Sequence, residues 1–150
     1  VLRRFRGAAG PDGTVLVGFD LKKDPAVLHA AYNDAQGVTA AFNRNVLKRM
    51  NAELGANFDL DAFHHYALYA PGPGRIEMHL VSAKRQTVEL DGQRFDFEHG
   101  ESICTEHSYK YDLAGAERLG RAAGLVLREK WLDDDRRFAV LSFGVASATA

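Results

Sequence analysis

Eleven consecutive residues, Glu101-Ser-Ile-Cys-Thr-Glu-His-Ser-Tyr-Lys-Tyr111, concentrate most of the chemistry this chain could do. They carry carboxylates, a thiol, an imidazole, hydroxyls, phenols and an ammonium, and only Ile103 is purely apolar. Polar groups removed from water must find partners, so a segment this mixed reads as one built to hold something polar. Glu106 can accept from an N–H donor, and Ser108 can donate or accept. In an extended segment, positions two apart lie on one side, which would aim both at one ligand.

Other constellations in and near this segment are weaker. Cys104 and His107 could form a thiol–imidazole pair, but no glycine context for stabilising an oxyanion accompanies them. Adding His99 and Glu101 gives no two-plus-two ligand spacing, and no second cysteine exists, so no metal site is expected. His64 and His65 are adjacent, and on a strand they would point to opposite faces.

The elements that would position these residues follow from pattern. Val1–Ala9 has helix-compatible spacing, and Gly10-Pro11-Asp12-Gly13 marks a turn. Thr14–Phe19 is a nearly continuous apolar run, the pattern of a strand buried on both faces. Asp24 should cap a helix opened by Pro25. A longer helix should run from about Gly37 to Leu54, with Val38, Phe42, Val46 and Met50 as a stripe that Leu47 and Leu54 widen, ended by Gly55.

From Tyr66 the period becomes two. Arg75–Val81 alternates after the Pro71-Gly-Pro-Gly74 loop, which should join two antiparallel strands. Thr87–Leu90 and Arg94–Phe97 flank Asp91-Gly92 and predict a hairpin. Beyond the polar segment, Asp112 should cap a helix through Ala123, with Leu113, Ala116 and Leu119 on its packed face. Leu125–Leu132 and Arg137–Phe143 then read as paired strands around Asp133–Arg136. The tail, Val145 to Ala150, should fray.

The 150 residues are enough for a real core, and 46% apolar with 26% charged is ordinary for a globular protein. A net charge of −1 gives no basic footprint for nucleic acid. No apolar run reaches the roughly 18–20 residues of a membrane helix. A lone cysteine excludes an internal disulfide and suits a reducing cytoplasm. The start at Val1-Leu2-Arg3-Arg4 reads as a cut from something longer.

The order of blocks then becomes familiar. Asp24-Pro-Ala-Val-Leu28, Ala31-Tyr-Asn-Asp34, Gly37–Asn43, Arg75–Leu80 and Gly100–Tyr111 together resemble the histidine-specific methyltransferases of ergothioneine biosynthesis. The outer segments resemble the second half of a class I methyltransferase. The resemblance implies an α/β fold: the carboxy-terminal half of a Rossmann-like sheet, residues 1–23 and 105–150, with an inserted α+β substrate-binding subdomain, residues 24–104.

It also implies transfer of methyl groups to the α-amine of L-histidine, a small-molecule substrate, from S-adenosylmethionine. In that family a Glu-x-Ser pair grips the imidazole, here Glu106 and Ser108. Tyr32 would contact the substrate carboxylate, and Met78 would line the side-chain pocket, where a thioether adapts to shape. No catalytic base is assigned.

Cys104 and His107 stand where the family usually has His and Asn. The glycine-rich cofactor turn is missing, so the S-adenosylmethionine site is expected in an absent amino-terminal half, and the chain alone is expected to be inactive. Without a neighbouring strand, Thr14–Phe19 would be an exposed edge open to self-association or pairing. The alternative is a stand-alone amino-acid-binding or interaction module.

Overall fold

In the computed structural model, which describes residues 1–146, the chain is mixed α/β. The elements run α1 (Leu2–Ala9), β1 (Thr14–Asp20), α2 (Pro25–Tyr32), α3 (Val38–Leu54), a short 3-10 turn at Leu60–Ala62, β2 (Phe63–Ala70), β3 (Arg75–Ser82), β4 (Gln86–Leu90), β5 (Gln93–Phe97), β6 (Ser102–Tyr109), α4 (Leu113–Ala122), β7 (Leu125–Leu132) and β8 (Phe138–Val145). The expected tail lies, beyond Ala146, outside the described residues. The chain divides into two compact units, residues 1–23 with residues from 109 onward, and residues 24–108. The polar segment thus stays with the second unit through Ser108, four residues beyond the boundary expected at 104.

The first unit holds a three-stranded sheet in the order β1-β8-β7, with both pairings antiparallel. Asp133 shapes the turn before β8, its Oδ1 accepting from the backbone N–H of Arg137 and of Phe138 at 2.7 Å each. Asp112 caps α4 by accepting from Gly115 N–H at 2.6 Å. Phe19, Leu125, Leu141 and Phe143 form the core with Ala116 of α4.

Two sequence expectations change here. β1 is not buried on both faces: Val15 and Phe19 are inside while Leu16 is 64% exposed. The sheet is antiparallel rather than parallel, and antiparallel sheets can pack one face and leave the other to water. On α4 the buried residues are Ala116 and Gly120, with Leu119 turned outward. The close contact with Phe143 explains the choice, because a Cβ at residue 120 would lie 2.4 Å from that ring.

The second unit contains a sheet in the order β2-β3-β6 and the separate β4-β5 hairpin. β2 and β3 pair antiparallel from Phe63↔Ser82 to Ala70↔Arg75, so the strand begins three residues before the expected change of period. The β4–β5 turn is Asp91-Gly92, with φ of 50° and 71°. Positive φ at both positions matches the right-handed strand twist, which is why Asp-Gly suits this turn.

β3 alternates cleanly, burying Ile76, Met78, Leu80 and Ser82. Leu28 of α2 packs with Ala67, Ile76 and Met78, and Leu47 of α3 packs with Phe63 and Leu80. Both helices therefore cover the same face of the sheet. Asp24 caps α2 as expected, accepting from Ala26 N–H at 2.8 Å. Gly55 ends α3 in a left-handed conformation, φ 65°.

The face of α3 is the clearest departure from the sequence reading. Its buried residues are Asn43 and Leu47, whereas Val38 and Phe42 are 63% and 67% exposed. The helix is rotated toward its polar flank because Asn43 is needed inside, as the hydrogen bonds below show. No helix among the described residues is long and apolar enough to cross a membrane.

Candidate functional site

The second unit brings the end of α2 against β6. Tyr32 Oη and Ser108 Oγ lie 2.9 Å apart, although 76 positions separate them in the chain. One hydroxyl donates to the other.

Every residue of the Tyr32-Asn33-Asp34 block has a structural task behind this contact. Asn33 mimics a neighbouring strand for Ala67 on β2: Ala67 N–H donates to Oδ1 at 2.9 Å, and Nδ2 donates to Ala67 C=O at 2.9 Å. Asp34 caps α3, its carboxylate accepting from the backbone N–H of Val38 at 2.8 Å and of Thr39 at 2.9 Å. Those amide bonds, Thr39 first, hold its carboxyl down to about 2. The chain leaving Tyr32 is thus pinned by its next two residues.

Glu106 lies on β6 two residues before Ser108 and is exposed. Among the described residues no hydrogen bond or ion pair engages its carboxylate, so it is ready to accept from a ligand N–H. Met78 is 2% exposed, packed with Leu28, Ala67 and Ile76, and Tyr32 rests against this cluster. The structure thus brings Tyr32 to Ser108 directly, and Met78 to Tyr32 from below. A groove of about 620 Å³ runs along α3 and is lined by Thr105 and Glu106, but it does not take in Tyr32, Met78 or Ser108. The geometry of the hydroxyl pair, rather than this larger and mainly apolar groove, marks the polar site.

β6 does not alternate regularly. Thr105 and Ser108 both reach groups contributed by the helices, Asn43 and Tyr32 respectively. Cys104 and His107 instead meet each other, Sγ to Nε2 at 3.3 Å, and His107 approaches Glu77 at 3.9 Å. Positions 105 and 108 have opposite parity, so the strand changes phase between them. The two residues that depart from the family pattern, Cys104 and His107, therefore sit together. Glu77 beside them is bonded by Arg75 at 2.6 Å, which holds its carboxyl below the usual range.

Three residues to which the sequence assigns no role complete the site region. Asn43 Nδ2 donates to His65 Nδ1 at 2.9 Å and to His79 C=O at 3.1 Å. His65 Nε2 lies 2.8 Å from Tyr32 C=O. Thr105 Oγ1 lies between Asn43 Oδ1 and Met78 C=O. The available signal was an asparagine set beside the apolar positions of α3. No cluster of His, Cys, Asp and Glu suited to a metal ion occurs among the described residues.

Residues 1–145 match the family model described as histidine-specific methyltransferase, SAM-dependent. The chain is 43% identical over 143 residues to histidine N-alpha-methyltransferase of Mycobacterium tuberculosis (strain CDC 1551 / Oshkosh), covering 93% of this chain and 44% of that protein. It is 44% identical over 125 residues to histidine N-alpha-methyltransferase of Mycolicibacterium smegmatis (strain ATCC 700084 / mc(2)155), covering 82% and 39%. Ergothioneine biosynthesis protein 1 of Neurospora crassa is 27% identical over 144 residues, covering 87% of this chain and 15% of that protein. The chain spans less than half the length of these curated relatives. A match over nearly every residue, reinforced by identity above 40%, assigns the chain to the SAM-dependent, histidine-specific methyltransferase family.

Proposed function

We propose that this chain supplies the substrate-gripping portion of an enzyme that methylates the α-amine of L-histidine. The observation that carries the reading is the Tyr32–Ser108 contact at 2.9 Å, with Glu106 exposed two residues before Ser108 on β6. A histidine side chain offers one N–H and one lone pair. Glu106 accepts the N–H, and Ser108 serves the other ring nitrogen. Tyr32, held at the end of α2, offers its hydroxyl to the substrate carboxylate. Met78 sets the floor beneath Tyr32 rather than forming an open wall. These residues bind and orient, and an amine held in one alignment needs less entropy to react.

The first unit is read as the closing part of a class I sheet, with β1 as the strand left at its edge, and residues 24–108 as the inserted substrate-binding subdomain. Its strand-to-helix junctions do not suit the methyl donor: neither Leu21–Asp24 nor Lys110–Asp112 contains a glycine. On this proposal the S-adenosylmethionine site lies outside these residues. The exposed edge of β1 is open to strand pairing.

The test is Glu106→Ala in the full-length protein, with histidine and S-adenosylmethionine binding both measured by calorimetry. Histidine affinity should fall while affinity for the methyl donor holds. Equal losses for the two ligands would refute the assignment and favour a general structural role for Glu106.

A further inference from the structure

The network behind Tyr32 has a fixed direction. Tyr32 C=O can only accept, so the His65 nitrogen 2.8 Å away, Nε2, carries the ring proton. Asn43 Nδ2 can only donate, so Nδ1, 2.9 Å from it, presents its lone pair. The amide orientation of Asn43 is set independently by its other partners. His79 C=O requires a donor, and the Thr105 hydroxyl gives its proton to Oδ1. The partners thus assign one neutral tautomer to His65.

We infer that His65 and Asn43 form a positioning relay, running from Thr105 on β6 through α3 and β2 to the Tyr32 carbonyl, that fixes the Tyr32–Ser108 pair and so sets histidine affinity. The inference rests on the proposed histidine site. Its basis is economy of contact: Thr105 lies three residues before Ser108, and the relay returns to the backbone of the very residue that Ser108 touches. The two hydroxyls are therefore held from both ends, one through β6 and one through α2. Asn43 is only 3% exposed, which is an expensive place for an amide unless all its groups are used. His65 and Asn43 touch no ligand in this scheme. They act through Tyr32.

The experiment uses the full-length protein labelled with nitrogen-15 at histidine. Long-range proton–nitrogen spectra should show His65 as the neutral Nε2–H tautomer, assigned by loss of its signals in His65→Gln. An Nδ1–H tautomer or a charged ring at neutral pH would overturn the relay.

Affinity supplies the second arm. His65→Leu should weaken histidine binding roughly three- to tenfold, the scale of one supporting hydrogen bond. His65→Gln, whose amide can still donate to Tyr32 C=O, should recover most of the loss. In a Tyr32→Phe background the His65→Leu change should cost less than about twofold, because the group it positions is gone. An undiminished loss in that background would show that His65 does not act through Tyr32. If Glu106→Ala and Ser108→Ala leave histidine binding intact, the histidine site itself fails, and the tautomer measurements then decide the relay alone.

Discussion

Asn33→Ala should be among the most damaging single truncations in the second unit, although the residue is only half-buried. The Asn33 side chain holds Ala67 N–H and Ala67 C=O at 2.9 Å each, and also donates to His29 C=O at 3.1 Å. Ala67 is 0% exposed, so truncation leaves a donor and an acceptor of a fully buried residue unmet. Each such group costs about 1–3 kcal/mol, and water entering through the half-exposed site recovers part, leaving a loss of about 2–4 kcal/mol. The assay must watch the right unit. Trp131, the single tryptophan, lies on β7 in the first unit, and its fluorescence reports on the wrong half. Urea unfolding followed through backbone amide signals of β2 and β3 avoids this, and hydrogen exchange at Ala67 N–H gives a local check. A loss below about 0.5 kcal/mol, within the range of ordinary surface changes, would refute the argument. So would unchanged exchange at Ala67.

The rotation of α3 predicts opposite outcomes five residues apart: Leu47→Ala should cost about 2–5 kcal/mol, while Phe42→Ser, at a site 67% exposed, should stay within about 0.5 kcal/mol by urea unfolding. Equal costs would show that the expected apolar stripe is packed after all. Gly120→Ala should destabilise the first unit, because overpacking against the fully buried Phe143 costs about 1–3 kcal/mol and the helix propensity regained is about 1 kcal/mol; Trp131 fluorescence during unfolding measures it. The Asp34 cap has a folded pKa of about 2 against 3.8 for the free group. Its contribution is therefore fully present above about pH 4 and lost as pH falls through about 2. The Val38 and Thr39 amide shifts should titrate with a midpoint near 2, and a midpoint near 3.8 would contradict the cap.

Legibility followed the range of the interactions. Caps and turns are legible because their partners are a few residues away: Asp24 to Ala26, Asp112 to Gly115, Asp91-Gly92 between β4 and β5. Strand alternation in Arg75–Ser82 was also visible, since one packed face leaves a period of two. The helix faces were misread where a polar residue belongs inside. On α3 the apolar stripe alone pointed to Phe42, yet Asn43 is the buried neighbour, because its amide has partners on β2, β3 and β6. Nothing local to α3 announces those partners.

The candidate site divides in the same way. The residue types that could meet an imidazole and a carboxylate, Glu106, Ser108 and Tyr32, were determined by the sequence, as was the family to which the blocks belong. Only the tertiary structure decided that Tyr32 and Ser108 touch, that β6 changes phase between Thr105 and Ser108, and that His65 faces Tyr32 C=O. A side chain carries its donors and acceptors wherever it stands, but a hydrogen bond exists only at about 3 Å. Distances between residues 32, 43, 65 and 108 are set by the packing of α2 and α3 on one sheet face, which no single segment encodes.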